Sequence, residues 1–267
     1  MTPMTLIELK SGIRLSTHIE GAPNFPWLVL CNSIMATHRM WDQQMAALTR
    51  KYRVLRYDAR GHGDSDAPPA PYTLDDLVGD AIGLMDHFDM KKPAFMGLSL
   101  GGMTGLGVAL AQPHRLSALA CCDARADAPK PFVQGWDDRI KQVRAYGLSS
   151  IVPETIERWL SASFRASHPE TVADVERMIL TTSVDGYEGC GEALKKLNYL
   201  EQLGRIVVPT LFVVGSADIG APPDVMRAMA DRVSSAQFAV VEGSAHLPNI
   251  DNQVAFHQAV RKFLDLD

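Results

Sequence analysis

The sequence predicts an α/β fold in which a mostly parallel β-sheet is flanked by helices and carries a helical insert. In residues 1–124, short apolar strand-like runs alternate with segments whose apolar residues recur at helical spacing. In residues 127–203, helical segments follow one another with no convincing strand between them, and the strand–helix alternation then returns. Strands that are apolar on both faces and are separated by helices are typical of a parallel sheet with helices packed on it.

The elements follow from these patterns in chain order. Short apolar runs predict strands at residues 6–9, 13–18, 27–31, 54–57, 94–98, 116–122, 209–215 and 237–241. Helical spacing of apolar residues predicts core helices at 40–48, 74–88, 100–111, 222–233 and 252–264. The insert contains predicted helices at 138–146, 154–163, 169–181 and 189–200. We therefore divide the chain into a core of residues 1–126 and 204–267 and a helical cap of residues 127–203.

Composition and charge restrict the classes of partner. The chain has 267 residues, of which 46% are hydrophobic and 21% charged, so it can bury a substantial core. Its net charge of −5 gives no general attraction for nucleic acid or for an anionic membrane. No secretory signal and no membrane-spanning apolar stretch is apparent. We expect a cytoplasmic protein that acts on a small molecule, and a homo-oligomer is compatible with the sequence.

The four cysteines form no CxxC pair. They are Cys31, Cys121, Cys122 and Cys190, and all but Cys190 lie in predicted strands. Free cysteine is among the residues most often buried, and disulfides are rare in a reducing cytoplasm. We therefore predict buried free thiols.

A G-x-S-x-G motif, Gly97-Leu98-Ser99-Leu100-Gly101, lies between the predicted strand 94–98 and the predicted helix 100–111. A sharp strand-to-helix turn holds the central serine in a strained conformation at the edge of the sheet, and small neighbours relieve the crowding. Ser99 is therefore the candidate nucleophile. The alternative is a serine that only caps the helix.

A serine hydroxyl needs a histidine base and an acid that orients the histidine. Among eight histidines, His246 follows the strand 237–241 in a flexible loop that can reach the edge of the sheet. His62, in Arg60-Gly61-His62-Gly63, stays open as a rival, although a loop-shaping role suits it better.

The acid has two candidates. Asp218 follows the strand 209–215, from which a carboxylate can reach the histidine loop and fix the imidazole tautomer. Asp123 stands at the end of the strand 116–122, a position from which some relatives of this fold supply their acid. We favour Asp218 and leave Asp123 open.

The tetrahedral intermediate of acyl transfer needs two N–H donors for its oxyanion. The residue after the nucleophile, Leu100, supplies one. The loop that follows the strand 27–31 supplies the other, and alignment of that loop selects the backbone N–H of Ile34.

Taken together, these residues resemble the α/β-hydrolase superfamily and, more narrowly, the 3-oxoadipate enol-lactone hydrolases of aromatic catabolism. Most of the superfamily has His-Gly at the oxyanion loop, whereas Asn32-Ser33-Ile34 is similar to the Asn-Ser-Leu of the enol-lactonases. Further matching segments are Met40-Trp41-Asp42, Arg56-Tyr57-Asp58-Ala59-Arg60-Gly61-His62-Gly63-Asp64-Ser65, Gly97-Leu98-Ser99-Leu100-Gly101-Gly102-Met103, Gly186-Tyr187-Glu188-Gly189-Cys190 and Ala245-His246-Leu247-Pro248-Asn249. The resemblance extends over nearly the whole chain.

The resemblance implies hydrolysis of a strained unsaturated lactone that carries a carboxymethyl arm, without a metal or an organic cofactor. Ser99 would attack the lactone carbonyl while His246 takes its proton. The carboxylate of the substrate needs a cation, for which Arg139 and Lys130 are the candidates, with exposed surface ion pairing as the alternative for each. Trp136 is expected to form a wall of the pocket.

Departures from the family pattern concern the substrate pocket. Residues 221–222 are Ala-Pro instead of Thr-Pro, Pro248 replaces a small residue, and residues 123–135 match poorly. Two other functions stay open: an esterase or lactonase of the same fold acting on another small ester, and a ligand-sensing protein that turns over slowly. A metal hydrolase and a dinucleotide-binding enzyme are disfavoured, because no HxxH, HxxxH or paired CxxC cluster occurs and the first strand–helix turn lacks G-x-G-x-x-G.

Overall fold

A computed structural model describes residues 4–234 and 236–266 as one eight-stranded sheet with its helices. The strands are β1 (Thr5–Glu8), β2 (Arg14–Glu20), β3 (Trp27–Cys31), β4 (Arg53–Tyr57), β5 (Ala94–Leu98), β6 (Ala118–Cys122), β7 (Thr210–Gly215) and β8 (Ala236–Val241). The helices are α1 (Asp42–Leu48), α2 (Leu74–His87), α3 (Leu100–Ala111), α4 (Lys130–Tyr146), α5 (Val152–Trp159), α6 (Ala162–Ser167), α7 (Pro169–Leu180), α8 (Val184–Leu194), α9 (Pro223–Ala230), α10 (Pro248–Asp251) and α11 (Gln253–Arg261). Residues 1–3, 235 and 267 of the predicted core lie outside the described residues.

The sheet is mostly parallel, as predicted. Its strand order is β1-β2-β4-β3-β5-β6-β7-β8, and only the pairs β1–β2 and β2–β4 are antiparallel among the described strands. The inner strands β5 and β7 are buried along their whole length, because helices cover both faces of the sheet. Since parallel strands all end at the same edge, the loops that follow β3, β5, β6, β7 and β8 converge there.

The four cysteines are free and buried, which confirms the prediction. Burial raises the pKa of the Cys31 thiol to about 12. A thiol of this kind stays protonated at neutral pH and is a poor nucleophile. These side chains therefore serve as small apolar core residues.

Five helices, α4 to α8, lie between β6 and β7, where the sequence predicts a helical insert. Its two ends meet: Asp127 and Asn198 form an isolated antiparallel bridge, and the backbone O of Ala126 accepts from Tyr199 N at 2.7 Å. The two ends of the insert are thus adjacent in space. The division into a core and a cap at residues 127–203 stays a prediction. Even α4, with 17 residues, and every other described helix are too short or too polar to cross a membrane.

Three predicted helices in the insert have wrong bounds. Helix α4 begins at Lys130 rather than at residue 138, because Pro131 lies in its first turn, where the missing N–H costs nothing. The predicted helix 154–163 is two helices, since Leu160 is extended (φ −126°, ψ 135°) and the next residue caps α6. Helix α8 begins at Val184 because the hydroxyl of Ser183 accepts from the N–H of Gly186.

The insert touches the core where two glycine backbones meet. A Cβ on Gly186 of α8 would lie 2.3 Å from the carbonyl O of Gly61, whose own φ is +79°. Ser183 N donates to the same carbonyl at 2.9 Å. Only a residue without a side chain allows this approach.

Gly186→Ala is therefore expected to destabilise the protein by about 2 kcal/mol, because the backbone of Gly61 must move. The measured Tm should fall by roughly 4 to 8 °C. Gly135→Ala on α4 is the matched control, since a Cβ there meets no described atom within 4 Å. Equal Tm values for the two variants would contradict the proposed steric contact.

Candidate active site

Ser99 lies at the turn between β5 and α3 in a rare backbone conformation, with φ 55° and ψ −114°. Its N–H donates to the O of Cys122 on the neighbouring strand at 2.8 Å. Such a conformation costs of order 1–3 kcal/mol and persists only when surrounding contacts enforce it. The turn directs the Ser99 side chain into the cavity above the carboxyl edge of the sheet.

The two glycines of the motif are required by close packing. A Cβ on Gly97 would lie 2.1 Å from the carbonyl O of Gly101. A Cβ on Gly101 would lie 2.1 Å from the carbonyl O of Cys31, at the end of β3. The first glycine lets the chain reverse sharply, and the second brings α3 against the loop that follows β3. The motif thus places Ser99 beside the predicted oxyanion loop.

The side chains of His246 and Asp218 are hydrogen-bonded to each other. Nδ1 of His246 donates to Oδ2 of Asp218 at 2.7 Å, and Oδ1 of Asp218 accepts from Gly220 N at 2.7 Å. Burial opposes ionisation of Asp218, but the charge and hydrogen bond of His246, with the N–H groups of Gly220 and Ala221, outweigh it and lower its pKa. Asp218 is therefore a carboxylate that fixes the imidazole tautomer with Nε2 free to accept a proton.

Ser99 and His246 line one cavity of about 370 Å³, a size suited to a small ligand. Within the described parts of the chain, no hydrogen bond joins the two side chains. Such bonds often become short only when substrate is bound. Other side chains that line the cavity include Ile34, Met35, Met103, Phe132, Trp136, Trp159, Leu194 and Ile219.

Both ring nitrogens of His62 contact backbone atoms at the predicted oxyanion loop. Its Nε2 accepts from Met35 N at 2.9 Å, and its Nδ1 lies 3.0 Å from the O of Arg60. Both ring nitrogens are thus engaged by backbone, and burial lowers the pKa of His62, so the ring is neutral. Met35 is held at φ 58°, next to Ile34, whose N–H is the predicted oxyanion donor.

Leu100, whose N–H is the other predicted donor, is the first residue of α3, so this N–H has no partner within the helix. Ile34 and Ser99 both line the cavity. The pairing of Ile34 with Leu100 as an oxyanion hole stays a prediction.

Asp123, the rival acid, is fully buried beside this pair. Its Oδ1 accepts from Gly215 N at 2.8 Å, and its Oδ2 has no hydrogen-bond partner among the described residues. Burial and then the charge of Asp218 raise the pKa of Asp123 well above its ordinary value. Asp123, Asp218 and His246 each offer one ligand atom within 4.8 Å of the others. A metal ion there would have to replace the hydrogen bond between His246 and Asp218, so the set fits a charge-orienting pair better than a metal site.

Arginine side chains give the cavity its positive charge. Arg139 lies over the ring of Trp136 at 4.3 Å, and its Nε is buried without a partner in the described part of the chain. Burial and then the charge of Arg158 lower the pKa of Arg139, and a guanidinium remains cationic at neutral pH. Arg125 also lines the cavity, but it is paired with Asp127 at 3.1 Å.

The structure thus places both predicted pocket residues, Trp136 and Arg139, in the cavity that Ser99 lines. Lys130 is exposed on α4 and is not among the described residues that line the cavity. Sequence reasoning missed Arg158 and Arg125, for which no motif gives a signal.

The histidine loop is tied to the insert. Asp251 accepts from Ala245 N at 2.7 Å on one side and from the Ser161 hydroxyl at 2.7 Å on the other. Leu247 N donates to the O of Trp159 at 3.0 Å. These bonds hold the residues on either side of His246 against α5 and α6. Sequence reasoning also missed Asp251.

A family model described as alpha/beta hydrolase fold matches residues 26–253. The chain belongs to the α/β-hydrolase family. The predicted superfamily and fold are therefore confirmed, and we refer to the protein below as this α/β-hydrolase.

This α/β-hydrolase is 34% identical over 260 residues to 3-oxoadipate enol-lactonase 1 of Acinetobacter baylyi, covering 97% of this chain and 96% of the relative. The crystal structure of the enol-lactonase from Burkholderia xenovorans LB400 is similar, with 33% identity, a TM-score of 0.94, and coverage of 98% of this chain and 100% of that one. A Pseudomonas syringae protein whose provisional name is carbamate hydrolase RutD is 29% identical over 242 residues, 90% of this chain and 93% of the relative. The predicted resemblance to enol-lactone hydrolases is confirmed.

Proposed function

We propose that this α/β-hydrolase opens the ester bond of a small enol-lactone that carries a carboxylate, converting 3-oxoadipate enol-lactone into 3-oxoadipate in aromatic catabolism. The observation that carries the proposal is a single cavity that joins Ser99 and the His246–Asp218 pair to Arg139 and Arg158. Arg158 is paired with Glu154 at 3.6 Å, whereas the Nε of Arg139 is buried without a partner in the described part of the chain. A substrate carboxylate would supply the partner that Arg139 lacks. The similarity to named enol-lactonases supports the same substrate class.

In the proposed reaction, the Oγ of Ser99 attacks the lactone carbonyl while Nε2 of His246 takes its proton. Asp218 stabilises the imidazolium, and the N–H groups of Ile34 and Leu100 bind the oxyanion. Collapse breaks the ring C–O bond, and the enolate oxygen collects the proton from His246. The resulting enol becomes a ketone. Water, deprotonated by His246, then releases the acyl group from Ser99.

The proposed chemistry needs neither a metal nor an organic cofactor, because every proton moves between His246, Ser99, substrate and water. The cavity lies between the carboxyl edge of the sheet and α4–α5 of the insert, since both contribute lining residues. We therefore propose that residues 127–203 act as the cap that selects the substrate. A cytoplasmic location stays a prediction.

Three substrates assayed side by side test the proposal: the enol-lactone made in situ, p-nitrophenyl acetate and unsubstituted butyrolactone. We expect kcat/KM for the carboxylated lactone to exceed the other values at least about tenfold. Comparable rates on all three would instead indicate a broad esterase or another lactonase, and no turnover would favour a ligand sensor. A carbamate is assayed in parallel, because the relative of 29% identity is named as a carbamate hydrolase.

Arg139→Ala is expected to raise KM for the carboxylated lactone at least about tenfold and to leave kcat/KM for p-nitrophenyl acetate nearly unchanged, since the neutral ester has no carboxylate to bind. Lys130→Ala is the matched control, because Lys130 begins the same helix but is exposed. Initial-rate kinetics on both substrates measure the difference. An unchanged lactone preference in Arg139→Ala would remove Arg139 from the proposed carboxylate site.

A further inference from the structure

Two buried aspartates stand at the ends of neighbouring parallel strands. Asp123 follows β6 and Asp218 follows β7, and both carboxyl groups are almost completely buried. One oxygen of each lies within 4.8 Å of the other and of a ring nitrogen of His246. The proposed reaction uses only Asp218, so the place of Asp123 is unexplained by it.

Asp123 is held rigidly. Its backbone has φ 44°, and its N–H donates to the O of Val213 at 2.9 Å. Oδ1 accepts from Gly215 N, which leaves Oδ2 buried and without a partner among the residues that the structure describes. A buried carboxylate oxygen with no donor costs free energy, whereas a protonated carboxyl group becomes a donor.

Among the described residues, no cationic side chain is paired with the carboxyl group of Asp123. Asp218 and His246 lie beside it at the ends of β7 and β8, and Cys121 and Cys122 precede it as protonated thiols. Arg125 is engaged elsewhere: it donates to Asp127 and weakly to the O of Gly220. Two adjacent buried carboxyl groups cannot both ionise without a large cost, and Asp218 is the one that the His246 hydrogen bond stabilises as an anion.

We propose that Asp123 is a positioning residue that keeps its proton at neutral pH and donates from Oδ2 to the carboxylate of Asp218. This bond adds a donor to those from His246 and Gly220, so Asp218 is fixed in the plane that orients the imidazole. It also spreads the negative charge of Asp218, which limits how strongly the imidazolium is held. The catalytic part of this inference rests on the proposed function, whereas the proton on Asp123 does not.

Protein stability tests the proton without any turnover. A carboxyl group that is protonated when folded and ionised when unfolded stabilises the fold below its unfolded pKa, and this contribution is lost as pH rises towards the higher folded pKa. The amide side chain of the Asp123→Asn variant does not titrate and has no such loss. The Tm of this variant minus the Tm of the wild type should therefore increase by roughly 3 °C for each unit that the pH rises between pH 5 and pH 8. Parallel Tm curves over this range would overturn the proposal.

The pH dependence of kcat/KM tests the donated bond. Asp123→Asn keeps an N–H donor, so its acid limb should coincide with that of the wild type. Asp123→Gly tolerates the positive φ and removes the donor, so Asp218 holds the imidazolium more strongly and the acid limb should move at least about half a unit to higher pH. We expect its kcat to fall about tenfold while KM changes less than about twofold.

A shift of the acid limb in the opposite direction would indicate an ionised Asp123. If Asp123 were ionised, Asp123→Asn and Asp123→Gly would both remove a negative charge and move the acid limb to lower pH, which would overturn the proposal. If the wild type hydrolyses none of the esters, the proposed function fails, and the Tm comparison still decides whether Asp123 holds its proton.

Discussion

Ser99→Ala is expected to lower kcat about a millionfold on every substrate that the wild type hydrolyses, because the acyl-enzyme cannot form without the Oγ. The folded structure should persist. The backbone at φ 55° is fixed by the Cys122 contact and by the glycines on either side, and alanine fits the space of serine. Single-turnover kinetics measure the loss, and Tm verifies the fold.

Ser244→Ala is the matched control for that variant. Ser244 lies in the histidine loop, is fully buried, and its Oγ has no hydrogen-bond partner within the described ranges of the chain. Its kcat should stay within about threefold of the wild type, because no polar contact is lost. Residual activity of Ser99→Ala above about a thousandth of the wild-type value would refute Ser99 as the nucleophile.

Asp218→Asn is expected to lower kcat about ten-thousandfold, with little change in KM. The amide cannot stabilise the imidazolium, and its N–H₂ group favours the wrong tautomer of His246. The 2.7 Å bond between Nδ1 and Oδ2 shows how directly the two side chains are coupled. The pH–rate profile and the values of kcat and KM measure this effect.

Asp224→Asn is the control for charge alone, since Asp224 is exposed at the start of α9. Its kinetics should match the wild type. The assignment of the acid is wrong if Asp218→Asn keeps its turnover while Asp123→Asn loses it.

Much of the core could be predicted from sequence. Strands β3 and β5 and helix α3 have the predicted bounds, because each is an almost wholly apolar segment with a proline or a polar residue at its ends. The helix bounds of the insert are harder to predict from the sequence, as the start of α4 and the break between α5 and α6 show. Pro131 stands in a first turn, where it is allowed. Ser161 begins a new helix because its hydroxyl accepts from Phe164 N, and the same hydroxyl donates to Asp251, far along the chain.

The candidate site also contains residues that the sequence predicts and residues that it does not. Ser99, Asp218 and His246 could be proposed from the sequence because each follows a predicted strand. Trp136 and Arg139 could be proposed through the family resemblance. Arg158 gave no signal: its side chain enters the cavity only because α5 packs beside the histidine loop.

The family, the parallel sheet and the candidate nucleophile follow from the sequence alone. These depend on local requirements, above all the two glycines that must lie against the carbonyl groups of Gly101 and Cys31. Which strand-end aspartate is hydrogen-bonded to His246 follows only from the three-dimensional packing of the strands. Both Asp123 and Asp218 fit the chain pattern, and the choice depends on which carboxyl oxygen faces Nδ1 across two neighbouring strands. Such a contact joins distant parts of the chain, so residue spacing along the sequence does not encode it.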